Sequence, residues 1–150
     1  MILREHTLAA NGVRSEAELV DLIRWAGRVP ADVLEDVDLT GSSLDAIDFS
    51  GCDVRNVIFS NCSLRATKWG RGSVWACLFS GADLTFADFR EADPTKCCFD
   101  KAALQNAMFS PTWISRMCWG SDPRYNWSCD RVGLELEYVY RWWPIILRRR

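Results

Sequence analysis

A period of five governs this chain. From Leu34, steps of five residues land on Leu39, Leu44, Phe49, Val54, Phe59, Leu64, Trp69, Val74, Phe79, Leu84, Phe89, Pro94, Phe99, Leu104 and Phe109. All sixteen positions are apolar. In a half-apolar chain such a run arises by chance about once in 10⁵ trials. An amphipathic helix repeats at about 3.6 residues and a strand at about 2, so neither explains it. From Leu39 onward, two residues before each large position stands a small or β-branched one, from Val37 and Ser42 through Cys52, Cys62 and Cys77 to Ala102 and Ala107. Each unit therefore offers one large and one small inward side chain, two apart, as on one face of a short strand. The other three positions are mostly Asp, Ser, Thr, Arg, Asn and Gly, and read as outward or turn-forming.

The stretches "SGADLTFADFREAD" and "LTGSSLDAIDFSGCDV" resemble the pentapeptide-repeat proteins, whose unit is roughly Ala-Asp/Asn-Leu-x-x. The resemblance covers residues 34–112. It implies an all-β fold, a right-handed quadrilateral β-helix in which four units make one coil. Folding the period by twenty supports that coil from the residues themselves. One column then stacks Leu39, Phe59, Phe79 and Phe99; the next, Leu44, Leu64, Leu84 and Leu104. The third stacks Phe49, Trp69, Phe89 and Phe109, and the fourth Val54, Val74 and Pro94. Like sits on like, which stacking at about 4.8 Å per rung rewards. About four coils are expected. Trp69 is oversized and Gly72 undersized for their columns, and are expected to compensate within one coil. Pro94 cannot donate a ladder hydrogen bond, so a local distortion is expected there.

Both ends of a β-helix expose core and backbone and call for caps. Ser15 and Glu18 form a capping box, Leu19, Leu22, Ile23 and Ala26 follow helical spacing, and Gly27 then Pro30 end the run. Residues 1–33 thus read as an N-terminal helical cap, with helix 16–26 packed on the first coil. Residues 113–150 hold five of the eight tryptophans and read as a partly helical C-terminal cap. Relatives that dimerise through this end imply a homodimer interface instead, with Trp142 and Trp143 as its candidates. The whole is one structural domain.

Seven cysteines with no framework spacing, and an N-terminus without an apolar signal core, point to free thiols in a reducing cytoplasm. Four of them, Cys52, Cys62, Cys77 and Cys97, fall on small inward positions and read as core filling. His6 is the only histidine, and no Cys/His ligand cluster or nucleophile–base pair appears. No catalytic residue, cofactor or metal is therefore expected, and no membrane or direct nucleic-acid contact.

A regular wall without a pocket is a surface for binding proteins. Residues 31–112 carry twelve acids against seven bases, and residues 113–150 four against seven. The candidate acidic surface is Asp38, Asp45, Asp48, Asp53, Asp83, Asp88, Glu91 and Asp93. Some pentapeptide-repeat proteins resemble B-form DNA in shape and charge and occupy DNA-binding enzymes. The resemblance thus implies an inhibitor or protector that occupies a DNA-handling protein, such as a topoisomerase or phage-defence (CRISPR) nuclease machinery. Four rungs span roughly 20 Å, or about six base pairs, so mimicry needs a dimer or the terminal segments. The alternative, a structural or adaptor module without mimicry, stays open. It has its own candidate surface. The outward residue before the large one reads Asp38, Ile58, Leu78, Cys98 in one column, and the last three form an apolar stripe.

Overall fold

The computed structural model of the protein describes residues 2–109. Two helices, α1 (Ile2–Ala10) and α2 (Glu16–Ala26), precede six short strands. These are β1 (Val33–Glu35), β2 (Asp53–Arg55), β3 (Ser73–Trp75), β4 (Asp88–Phe89), β5 (Asp93–Thr95) and β6 (Met108–Phe109). All pairing is parallel, in the orders β1-β2-β3-β5 and β4-β6. Every partner lies twenty residues away: Leu34 pairs with Val54, Val54 with Val74, and Val74 with Pro94. Isolated bridges such as Ser43–Ser63 and Lys68–Asp88 keep the same step. The chain is a β-helix with a twenty-residue coil.

Its corners explain the period of five. Two residues after each large position, the backbone enters the left-handed region at every corner from Asp36 to Asn106 except Glu91, with φ between 51° and 77°. At most corners the large residue's carbonyl accepts the N–H three residues on, as Leu39 does from Ser42 at 3.1 Å. That is the bond of a type II turn, whose third residue requires positive φ. Leu34, Val54 and Val74 instead sit at the centres of the strands β1, β2 and β3, each of which ends just before its left-handed residue.

We number the walls by their inward columns. The first holds Leu39, Phe59, Phe79 and Phe99; the second Leu44, Leu64, Leu84 and Leu104; the third Phe49, Trp69, Phe89 and Phe109; the fourth Leu34, Val54, Val74 and Pro94. All are buried. Rings stack along the third wall, Phe49 on Trp69 at 4.1 Å and Trp69 on Phe89 at 5.1 Å. They also stack along the first, Phe59 on Phe79 at 5.1 Å. Between these two walls the contacts are edge-to-face at 5.5 to 6.1 Å. Both geometries suit the ring quadrupole, at about 0.5–1.5 kcal/mol per pair beyond burial.

Trp69 is accommodated chemically. Its indole N–H donates to Thr67 Oγ1 at 2.9 Å, and that hydroxyl donates to the Leu64 carbonyl at 2.7 Å. Gly72 answers a different constraint: a Cβ there would lie 2.1 Å from the Cys52 carbonyl oxygen. Its smallness serves a close backbone approach rather than the volume of Trp69. Pro94 keeps register with Val74. Elsewhere the large residue's N–H reaches forward to the next coil, as Phe59 does to the Leu78 carbonyl at 2.7 Å. Pro94 lacks that forward donor, so its pairing back to Val74 is kept. The irregularity sits at the preceding corner, where Arg71 N–H bonds the Glu91 carbonyl at 3.4 Å rather than that of Arg90.

The N-terminal cap contains the expected helix α2. Ser15 accepts the Glu18 N–H at 3.2 Å, and Gly27 closes the helix at φ 70°. Leu19 and Ile23 are buried, Leu22 is partly so, and Ala26 is exposed. Helix α1 was not legible in the sequence. Thr7 on it is buried and holds the edge of β1: its hydroxyl donates to the Glu35 carbonyl at 2.8 Å and accepts the Glu35 N–H at 3.2 Å. The ladder begins ahead of Leu34, because Arg28 already bridges Asp48 and Val29 is buried. The segment 113–150, with Trp142 and Trp143, lies outside the described residues.

Candidate functional site

The eight predicted acids are spread over all four walls. Asp38 stands on the first, Asp45 and Asp83 on the second, Asp48, Asp88 and Glu91 on the third, and Asp53 and Asp93 on the fourth. Most are engaged by the wall itself. Asp38, Asp48, Asp83 and Asp88 each accept the backbone N–H two residues on: Thr40, Ser50, Thr85 and Arg90, at 2.8 to 3.0 Å. This Asx-type turn is a local structural role. Asp45 and Asp53 reach the next coil instead, to the Arg65 and Ser73 N–H groups at 3.0 and 3.2 Å. Ion pairs join Arg55 to Asp53, Arg65 to Asp83, Arg71 to Glu91 and Arg90 to Asp88, at 2.7 to 3.6 Å.

Hydrogen bonds hold several of these carboxyls below their ordinary pKa: Asp38 by the Thr40 side chain, Asp48 by Ser50, Asp53 by Ser73 and Asp88 by Arg90. They remain anionic, but the sign of the surface does not persist along a wall. On the third wall one outward column reads Arg28, Asp48, Lys68, Asp88, with charge alternating at each rung. No outward column of the described residues repeats an acid in successive coils. The geometry gives a mosaic.

The apolar column is in register as expected. Asp38 bridges Ile58, Ile58 bridges Leu78, and Leu78 bridges Cys98. Ile58 and Cys98 are half-buried, Leu78 is 41% exposed, and Cys98 Sγ lies 3.4 Å from Ser80 Oγ. Around them, Ser60, Asn61, Ser80 and Gly81 carry no charge. Below Ile58, a cleft of about 690 Å³ opens between the cap and the first coil. Arg4, Glu16, Asp36, Asp38, Asn56 and Ile58 line it, and Arg4 is paired with Glu16.

Further exposed aromatics escaped the sequence reading. Trp75 on the fourth wall is 40% exposed, with the Lys96 ammonium 5.3 Å from its ring centre. Phe86, 55% exposed, occupies a left-handed corner at φ 62°. Trp25 is 85% exposed on α2. The five-residue phase places Trp75 just after a large position, which marks it as outward.

The inward thiols Cys52, Cys62, Cys77 and Cys97 are free and buried. Burial pushes Cys52 up to about 12 and Cys62 to about 11, so neither is a thiolate near neutrality. Among the described residues no group of three or more His, Cys, Asp or Glu is placed to hold a metal ion, and no helix is long and apolar enough to cross a membrane.

The family model "Pentapeptide repeats" matches the chain in eight copies over residues 33–68 and 77–110. Solved structures of similar proteins include a pentapeptide repeat protein from the Arabidopsis thaliana thylakoid lumen. It is 29% identical, with 50% of this chain and 48% of that one covered and a TM-score of 0.41. HetL, a pentapeptide repeat protein involved in heterocyst differentiation regulation from the cyanobacterium Nostoc, is 34% identical over 50% of this chain and 34% of its own, with a TM-score of 0.35. A pentapeptide repeat protein from the cyanobacterium Cyanothece is 12% identical, covering 64% and 92%, with a TM-score of 0.32. The chain thus spans about half the length of the first and a third of the second. No curated protein matches it.

Proposed function

The chain belongs to the pentapeptide-repeat family, and from that premise we propose that it is a non-enzymatic protein-binding module whose first wall is the contact surface. The observation that carries this reading is the in-register stripe of Ile58, Leu78 and Cys98, flanked on the coils of Ile58 and Leu78 by the uncharged Ser60, Asn61, Ser80 and Gly81. Contiguous exposed apolar surface marks a binding site more often than scattered apolar residues do. The rigid ladder behind it holds the side chains in place, so little ordering is lost on contact. Buried free thiols suit a cytoplasmic, reducing setting.

A second reading, an inhibitor or protector that imitates duplex DNA and occupies a DNA-handling enzyme, draws on the balance of −5 over residues 31–112, twelve acids against seven bases. We rank it second. A duplex presents one sign along each strand, whereas the third wall alternates and most of the carboxylates named above serve turns or ion pairs. One experiment separates the two. Partners captured by the wild-type protein are quantified against Leu78→Asp and against Asp45→Asn/Asp83→Asn. Loss with the first and retention with the second supports the wall reading. Displacement of duplex DNA from a topoisomerase or CRISPR nuclease, abolished by the second variant, would establish mimicry instead.

A further inference from the structure

The stripe and the cleft form one continuous surface, because Ile58 belongs to both. Its two ends differ in chemistry. Along the wall, Ile58, Leu78 and Cys98 offer apolar contact, with the uncharged Ser60, Asn61, Ser80 and Gly81 beside the first two. In the cleft, Glu16, Asp36 and Asp38 stand against one base, Arg4. A ligand that satisfies both ends carries an apolar stretch running directly into cationic groups. Arginine is the better cation for it, because its planar fork meets carboxylates in pairs.

The chain itself contains such a segment. Residues 142–150 read WWPIILRRR, six apolar or proline residues followed by three arginines. We propose that the stripe and cleft are the docking site for this segment of the same molecule. The inference rests on the reading of the first wall as a binding surface and names its occupant. Reach permits it. The described chain ends at Phe109, and 32 residues separate that position from Trp142. From Cys98 to Asp38 is three rungs, about 14 Å, well within the contour length of 32 residues at about 3.3 Å each. Charge favours it as well. Residues 113–150 sum to +3 (seven bases, four acids) against −5 for residues 31–112. The direction is also consistent: arginines placed in the cleft lay the tryptophans and isoleucines back along Leu78 and Cys98.

Cys98 is a native reporter inside the stripe, and the full-length protein is the material for the test. Alkylation by N-ethylmaleimide is followed residue by residue by peptide mass spectrometry. The wild type is compared with Trp142→Ser/Trp143→Ser and with Arg148→Glu/Arg149→Glu/Arg150→Glu. Cys98 is expected to react about tenfold faster in both variants than in the wild type. A synthetic peptide of residues 142–150, added to the tryptophan variant, is expected to restore protection. Unchanged slow reaction of buried Cys62 reports that the β-helix is intact. Equal Cys98 rates in all three proteins would overturn the proposal. So would protection that is lost on about hundredfold dilution, which would assign the occupant to a second copy. A partner that still requires Leu78 while Cys98 is unprotected in the wild type would remove this inference and leave the binding reading standing.

Discussion

Single residues carry most of the departures from a uniform repeat, and each has its own physical cause. Gly72 is needed because the Cys52 carbonyl occupies the space of a side chain. Gly72→Ala is expected to cost about 1–3 kcal/mol through overpacking against backbone that cannot move aside, read as a lower urea midpoint at unchanged slope. Gly70 is the internal control. A Cβ there meets the Glu91 carboxylate at 3.3 Å, the movable end of an exposed side chain. Gly70→Ala should stay within about 0.5 kcal/mol of the wild type. Phe86 is the opposite case, a large residue where the backbone favours a small one. Relief of its left-handed φ of 62° should make Phe86→Gly more stable by about 0.5–1 kcal/mol, after the larger unfolded-state entropy of glycine is subtracted. A lower thermal midpoint for Phe86→Gly would mean that the ring makes a contact worth more than the strain.

At the scale of elements, α1 matters more than its nine residues suggest. A parallel ladder begun at β1 has an unfilled edge, and Thr7 fills it by both donating to and accepting from Glu35. Thr7→Val keeps the shape and removes both bonds. It should cost about 1–2 kcal/mol, because a partly buried backbone donor and acceptor lose their partner. Hydrogen exchange should localise the loss to the amides of β1 and the first coil, with β3 unaffected. The sequence disclosed α2, because Ser15, Glu18 and Gly27 announce a helix by chemistry independent of its packing. It did not disclose α1, which has no capping signature of that kind and whose described buried residues, Thr7 and Leu8, include a polar one. The inward columns were legible for the reason α1 was not: they repeat. The role of the acids was legible in principle, in Asp38-Leu-Thr40, Asp48-Phe-Ser50 and Asp83-Leu-Thr85, where the aspartate precedes the N–H it accepts by two residues. Counted only as charge, they pointed toward DNA mimicry; placed in the wall, they are turn-forming groups first. The cleft depends on how the cap meets the first coil, which no single segment encodes.

For the whole molecule, titration gives two limits. Asp38, Asp48, Asp53, Asp88 and Glu16 have folded pKa values depressed by hydrogen bonds, the last by Arg4. Their contribution is present above the unfolded carboxyl pKa and is lost as pH falls through the folded values. The melting temperature should therefore fall as pH drops below about 4. The thiols act at the other end. Cys52 and Cys62 are raised by burial to about 12 and about 11, so stability should decline once pH exceeds the unfolded thiol value of about 8.5. Thermal melts across pH 3 to 10 would check both limits; stability that keeps rising above about pH 9 would contradict the burial of those thiols.

The twenty-residue step of the ladder also restricts how such a chain can change length. One inserted residue would turn every later side chain out of phase and put aspartates where phenylalanines stack. Five would restore inside from outside but shift every later residue to the neighbouring wall, so that Leu78 no longer followed Ile58. Only an insertion or deletion of twenty leaves each wall its own residues and lengthens or shortens the stripe by one rung, about 4.8 Å. Variation in this protein's length should therefore be quantised, with the coil as the unit in which a binding surface is gained or lost whole.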